Sequence, residues 1–323
     1  MWKIKDIEIQ SNVVLAPMAG VSFLAYRKFM KPFGVGLSVT EMVSDHGLIY
    51  DNKATLEYIK TDNIDRPVAI QLFGHDKETL IKAMDATIEN NPNFDIFDIN
   101  LGCPVPKVTK TGAGSSLLKD PTYLYELMKA LVEHSPKPVT AKIRLGWDEE
   151  SINFVENIKA LEEAGASAIA LHVRTAKQCY SGQARYELAK DLGTHMKVPL
   201  IISGDIYTLE DAIKAQEITK ATAVMVARGG IGNPFLIKQI DHYFKTGEKL
   251  PNISVEENIE NLKKFADMTI EQFGEYKAMR MLRGLAPKFF NGYPNAKKTK
   301  CQLAMELNTK EQFDKIVGDY KKE

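Results

Sequence analysis

Three cysteines are scarce for a chain of this length, and Cys103, Cys179 and Cys301 share no CxxC or Cys/His spacing. A disulfide framework and a structural zinc site are therefore not expected. No apolar run is long enough to cross a bilayer, and the opening MWKIKDIEIQSNVVLAPM lacks a basic lead followed by an apolar run and a small-residue cleavage site. The expectation is a soluble, cytoplasmic protein with no membrane partner, and no feature calls for an obligate protein partner. Net charge is missing too. Forty-two Lys and Arg balance 42 Asp and Glu, so any polyanion must be held by a local patch. No dinucleotide fingerprint appears.

What is present is a repeating pattern. Short β-branched runs at 13–16, 37–40, 68–72, 96–100, 139–143, 168–173, 200–203 and 223–226 alternate with helical stretches such as 77–89, 122–133, 152–164 and 209–218. Eight such units in about 240 residues match an α/β fold of the (β/α)8 TIM-barrel type. A doubly wound sheet is the competing architecture, because counting units does not establish closure. From residue 251 no strand pattern remains. Helical periodicity at 255–272, 277–290 and 310–320 indicates a C-terminal all-helical domain, joined through HYFKTGEKLP. The expected division is residues 1–242 as a catalytic barrel and 243–323 as a helical domain.

Residues 95–120, DIFDINLGCPVPKVTKTGAGSSLLKD, place a buried strand, a lone thiol and a glycine-rich basic loop in succession. Gly102 and Pro104 end the strand, so Asn100 and Cys103 belong at its carboxyl mouth. Gly112 to Ser116 would let the backbone approach a ligand closely. Lys107 and Lys110 add positive charge, with no acidic residue between Leu101 and Leu118. Free cysteines are often small buried apolar residues, but the position between Gly102 and Pro104 favours a reactive role.

Polar residues gather at the carboxyl ends of the other strands, where this architecture builds its sites. Pro17, Met18 and Ala19 follow the first strand, Glu41 the second, and Gln71 lies in the third. Lys142 and Arg144 end the fifth and His172 and Arg174 the sixth. Ser203, Gly204 and Asp205 follow the seventh, and Ala227, Arg228, Gly229 and Gly230 the eighth. The last two loops are the fold's usual phosphate site, which points to a phosphorylated cofactor. Lys142 cannot stay buried unpaired. It either pairs with Glu41 or Asp98, or meets the electron-rich edge of a flavin. His172 is either a satisfied core residue, the commoner case, or a hydrogen-bond partner of that ring.

The C-terminal region carries the charge asymmetry that the whole chain lacks. Seven basic residues (Lys277, Arg280, Arg283, Lys288, Lys297, Lys298, Lys300) and no acid lie between 277 and 300. Lys277, Arg280 and Arg283 advance by threes along one helix face, with Lys288 beyond. Most charge runs are solvated faces, but the absence of acids favours nucleic acid.

Together LAPMAGVS, TEMVS, QLFG, DINLGCP with GAGSSLL, KIRLGW, LHVRT, SGDI and ARGGIGNP resemble the tRNA-dihydrouridine synthases, FMN-dependent barrels with a helical RNA-binding domain. The match runs through the barrel in order; beyond it only general character and the basic stretch agree. The chain departs from the pattern at Ser203, where asparagine is expected, and at Ala227, where glycine is expected. The resemblance implies reduction of the C5–C6 bond of particular tRNA uridines, with NADPH (or NADH) recharging the flavin. It assigns Pro17, Met18, Ala19, Gln71, Lys142 and His172 to the FMN ring, and Ser203, Gly204, Asp205, Ala227 and Arg228 to its phosphate end. Asn100 contacts the uracil and Cys103 donates the proton. Lys107, Arg144, Arg174, Arg280, Arg283 and Lys288 are the expected RNA-side cations. An ordinary thiol, with a pKa of about 8.5, is acidic enough for that task yet protonated at neutral pH. Two other classes stay open: a barrel flavoenzyme for a free pyrimidine or small enone, and an RNA-binding module that modifies nothing.

Overall fold

The computed structural model describes residues 1–50 and 52–320. Eight short parallel strands, Val13–Leu15, Leu37–Val39, Val68–Phe73, Ile96–Asn100, Val139–Arg144, Ile169–His172, Leu200–Ser203 and Ala223–Val226, pair in chain order. The last pairs with the first, Val224 opposite Val13, and the second with the third, Ser38 opposite Val68. The sheet closes, and the architecture is the (β/α)8 barrel with a helical C-terminal region.

Alternation along each strand explains both packed layers. Val14, Leu37, Ala69, Ile96, Ala168, Ile201 and Ala223 form the barrel interior. Their neighbours Val13, Leu15, Ile70, Phe97, Ile99, Ile143 and Leu171 pack outward in the larger core shared with the helices. A hairpin that periodicity did not reveal, Trp2–Ile4 with Ile7–Ile9, joins the inner cluster through Trp2, Ile4 and Ile9, and the Trp2 indole donates to the Ser11 carbonyl at 2.9 Å. These residues pack on the amino-terminal halves of the strands, so that end of the barrel is plugged. Further along the inward faces stand Gln71, Asp98, Lys142, His172 and Ser203. All strands run the same way, so this polar layer collects at the other end.

Side-chain caps set where the helices start. Asp76 accepts from Glu78 and Thr79 at the head of Lys77–Asn90, Asp120 accepts from Tyr123 on Pro121–His134, and Thr208 and Asp211 form a capping box on Leu209–Thr219. The eighth barrel helix, Phe235–Thr246, runs past residue 242, so the connecting segment is residues 247–254. Helices Val255–Phe273 and Lys310–Tyr320 match their expected spans. The stretch at 277–290 divides instead. Its α-helix is Glu275–Leu285, followed by a 3-10 turn Ala286–Phe290, because Pro287 cannot donate the next helical bond. A further helix, Lys297–Met305, buries only Thr299 and Leu303, too few apolar positions to show a period. Among the described residues no helix is long and apolar enough to cross a membrane.

Aromatic packing fixes the C-terminal helices to the barrel. Phe23 and Phe29, on and beside the helix Leu24–Met30, meet Phe265 with ring centroids 6.1 and 5.2 Å apart, and Phe29 meets Phe289 at 6.3 Å. The same helix carries Arg27, fully buried, whose Nε donates to Asp65 at 2.8 Å while its other nitrogens reach the Ser22 and Lys60 carbonyls. Asp65→Ala would leave a buried guanidinium without its counter-charge, and the expected loss is about 3–5 kcal/mol of unfolding free energy. Urea titration followed by tryptophan fluorescence measures it; a loss within error would show that Arg27 is neutralised some other way.

Candidate active site

A directed chain of hydrogen bonds runs through the polar layer to Cys103. The Thr140 hydroxyl donates to one Asp98 oxygen and the Gln71 amide to the other, both at 2.6 Å. The Asn100 amide donates to Gln71 Oε1 at 2.8 Å, and Asn100 Oδ1 accepts from the backbone N–H groups of Gly102 at 3.2 Å and Cys103 at 2.9 Å. Burial pushes the Asp98 carboxyl up, opposed by these donors and by the charge of Lys142.

The glycine-rich loop serves this same segment. Ser115 donates to the Cys103 carbonyl through its N–H at 3.1 Å and its hydroxyl at 2.9 Å. Gly114 adopts φ +60°, and a Cβ there would lie 2.8 Å from that carbonyl. The close approach expected of GAGSS to a ligand is thus made to the protein's own Cys103. Cys103 is partly exposed, and burial pushes its thiol up, only partly offset by the Val105 N–H, Arg144 and Lys142.

Pro17, Met18, Lys142, His172, Ser203, Gly204, Asp205, Ala227 and Arg228 line one cavity of about 100 Å³. Ala19 is exposed and Gln71 is fully buried; neither lines it, and neither does Cys103, whose thiol lies within electrostatic reach of Lys142 and Arg144. The Lys142 ammonium makes no hydrogen bond or salt bridge among the described residues, although the charge of Asp98 reaches it. Asp98 is occupied by Gln71 and Thr140, and Glu41 accepts from the Gly20 N–H at 2.5 Å. Burial first, and Arg144 second, push the Lys142 ammonium down to about 8. His172 is 8% exposed, and burial with the charges of Lys142, Arg144, Arg174 and Arg228 holds it well below the usual imidazole range, so it is neutral.

Arg144 and Arg174, expected as RNA-side cations, are buried. They are 3% and 1% exposed. Arg144 donates to the carbonyls of Gly102, Thr175 and Cys179, and Arg174 to those of Ser181 and Gly182 and to both Asp205 oxygens at 2.9 and 2.5 Å. Their work is to pin the loop after the sixth strand. Burial alone would raise the Asp205 carboxyl, but Arg174 and the Ala184 N–H hold it below its usual value. The side chain of Asp205 is therefore engaged, with Arg228 a further 3.5 Å contact.

The pinned loop presents Tyr180, which no sequence period marked. Its ring lines the cavity, edge-on to His172 at 6.2 Å and 4.8 Å from the Arg228 guanidinium. Arg228, Tyr207 and Gly229 are shared with an outer cleft of about 760 Å³, lined also by Asn233, Asn252, Asn258, Lys288, Asn291 and Tyr293. Among the described residues no acid lines that cleft. Lys107 and Arg280 are exposed, and Arg280 leans on the exposed Tyr276. Arg283 turns away to hold the Leu307 carbonyl at 2.7 Å and Asn308 at 2.5 Å, so it ties two helices together.

Comparison with known proteins identifies the family. The family model described as "Dihydrouridine synthase (Dus)" matches residues 14–323. A "Probable tRNA-dihydrouridine synthase" of Rickettsia bellii is 34% identical over 321 residues, 99% of this chain and 98% of that one. "tRNA-dihydrouridine synthase B" of Shewanella oneidensis is 33% identical over 285 residues, 87% of each. Among solved structures, histamine dehydrogenase from Rhizobium sp. 4-9 superposes with a TM-score of 0.55 at 13% identity, a likeness of fold that covers 83% of this chain and 50% of that one. With the family's pattern spanning nearly its whole length, the chain belongs to the dihydrouridine synthase family.

Proposed function

We propose that this protein reduces the C5–C6 double bond of uridines in tRNA, with FMN held on the residues of the inner cavity and reaching into the outer cleft that shares Tyr207, Arg228 and Gly229 with it, and the RNA over that cleft. The observation that carries the reading is Lys142, a cation lining a cavity with no acid free to pair with it. Such a group needs an anion or an electron-rich edge. FMN fits that need: Lys142 and neutral His172 would meet the ring, Pro17 and Met18 would pack beside it, and the backbone of Gly204 and Asp205 with Arg228 would take the phosphate end. Bound FMN supplies hydride for C6 of the uracil, and NADPH or NADH restores it.

The residues of the chain provide the rest. Cys103 keeps its proton at neutral pH because burial disfavours the thiolate, and it gives that proton to C5. Asn100 orients the base. A target uridine must leave its stack to enter, and contacts elsewhere on the RNA offset that unstacking. Lys107, Arg280 and Lys288 supply phosphate contacts, and helices after Thr246 form the tRNA-binding part.

Cys103→Ala should retain bound FMN but lose on the order of 10²–10⁴ in turnover of tRNA. Nucleoside chromatography reads dihydrouridine directly, and undiminished turnover would remove Cys103 from the chemistry. Free uridine offered instead of tRNA should be a poor substrate; equal turnover would favour a small-molecule reductase.

Lys142→Met should weaken FMN by about 1.5–3 kcal/mol. The charged form exists below the lysine's pKa, so FMN affinity of the wild-type protein should fall as pH rises through about 8. Flavin fluorescence titrations from pH 6.5 upward would show this, and a flat profile would exclude the contact.

Arg280→Ala and Lys288→Ala should each flatten the slope of log affinity against log salt for tRNA by about one. Arg283→Ala should instead lower thermal stability, and a salt slope unchanged in the first two variants would place the RNA elsewhere.

A further inference from the structure

We infer that Asp98, with Thr140, is a positioning pair for the proton donor, acting through Gln71 and Asn100. The inference rests on Cys103 as the acid. Asp98 lies in the barrel interior, 5% exposed, where a carboxylate is stable only if its oxygens are satisfied. Each oxygen receives one donor, Thr140 Oγ1 and Gln71 Nε2. Both Asp98 oxygens thus act as acceptors, so the Gln71 amide turns its NH2 inward and its oxygen outward. Asn100 must then turn its NH2 toward that oxygen, at 2.8 Å, which leaves Asn100 Oδ1 for the Gly102 and Cys103 N–H groups.

The direction of the whole chain follows from its inner end. With the Asn100 amide reversed, its NH2 would face the Cys103 N–H, donor against donor, and the turn carrying the thiol would lose its tie to the fourth strand. Ser115 holds the Cys103 carbonyl from the other side, where Gly114 leaves room for it, so the peptide is fixed at both ends only while Asn100 points this way. Asp98 does not line the cavity and would set the thiol's position from two side chains away.

The test uses the FMN-loaded protein with Cys179 and Cys301 replaced by serine, so that iodoacetamide reports on Cys103 alone. Asp98→Leu should lower kcat by roughly ten- to a hundredfold, leave KM for tRNA and FMN content unchanged, and shift the pH profile of Cys103 alkylation. Asp98→Asn, which still offers Gln71 an acceptor, should recover most of the rate, and Thr140→Val should fall between. Wild-type kcat and alkylation profile in Asp98→Leu would overturn the inference, as would loss of FMN and of tRNA affinity together with kcat, which marks a merely structural role. If Asp98→Leu does not fold, the order of Asp98→Asn above Thr140→Val decides. Full activity in Cys103→Ala would instead remove the thiol from the reaction, while the alkylation profile would still report whether Asp98 orders its turn.

Discussion

Closure of eight parallel strands is the constraint on which everything else rests. Side chains alternate with a period of two, so one inward face serves both ends of the barrel. The lower half is apolar and sealed by Trp2, Ile4 and Ile9. Polar groups on that face therefore have one place to go, the carboxyl mouth, and the parallel direction brings Gln71, Asp98, Asn100, Lys142, His172 and Ser203 there from five strands. A doubly wound sheet would have spread the same residues along an edge.

The mouth is electropositive by arrangement rather than by composition. Lys142, Arg144, Arg174 and Arg228 lie close enough to depress His172. The two acids among them are already engaged, Asp98 by Gln71 and Thr140 and Asp205 by Arg174. Two of the four cations are spent on loop carbonyls, and Lys142 and Arg228 are left facing the cavity. This is how a chain of zero formal charge presents a site suited to anions.

Function is divided along the same lines. The barrel orders small groups to within hydrogen-bond distances, while the C-terminal helices, docked through Phe23, Phe29, Phe265 and Phe289, carry exposed cations beside the outer cleft. That docking brings Lys288 near Arg228, although 60 residues separate them in sequence. Gly232 completes the junction, because a Cβ there would lie 2.3 Å from the Lys288 carbonyl carbon.

Sequence alone determined what depends on local chemistry. Strand periods, Asp and Thr caps and glycine turns place the eight strands within a residue or two of their ends, and Cys103, Lys142 and His172 at strand termini. Burial and partnership were decided only by the tertiary structure. An arginine reads as a surface cation whether it faces water or a loop carbonyl, so Arg144, Arg174 and Arg283 looked like RNA contacts until their acceptors were visible. GAGSS looked like a ligand cradle because a glycine permits close approach without saying to what. Tyr180, the Trp2 hairpin and the Lys297–Met305 helix left no period to find. Hydrogen-bond direction, from Thr140 through Asp98 to Cys103, is a property of three strands at once, and one-dimensional order carries no record of which side chains meet across a closed sheet.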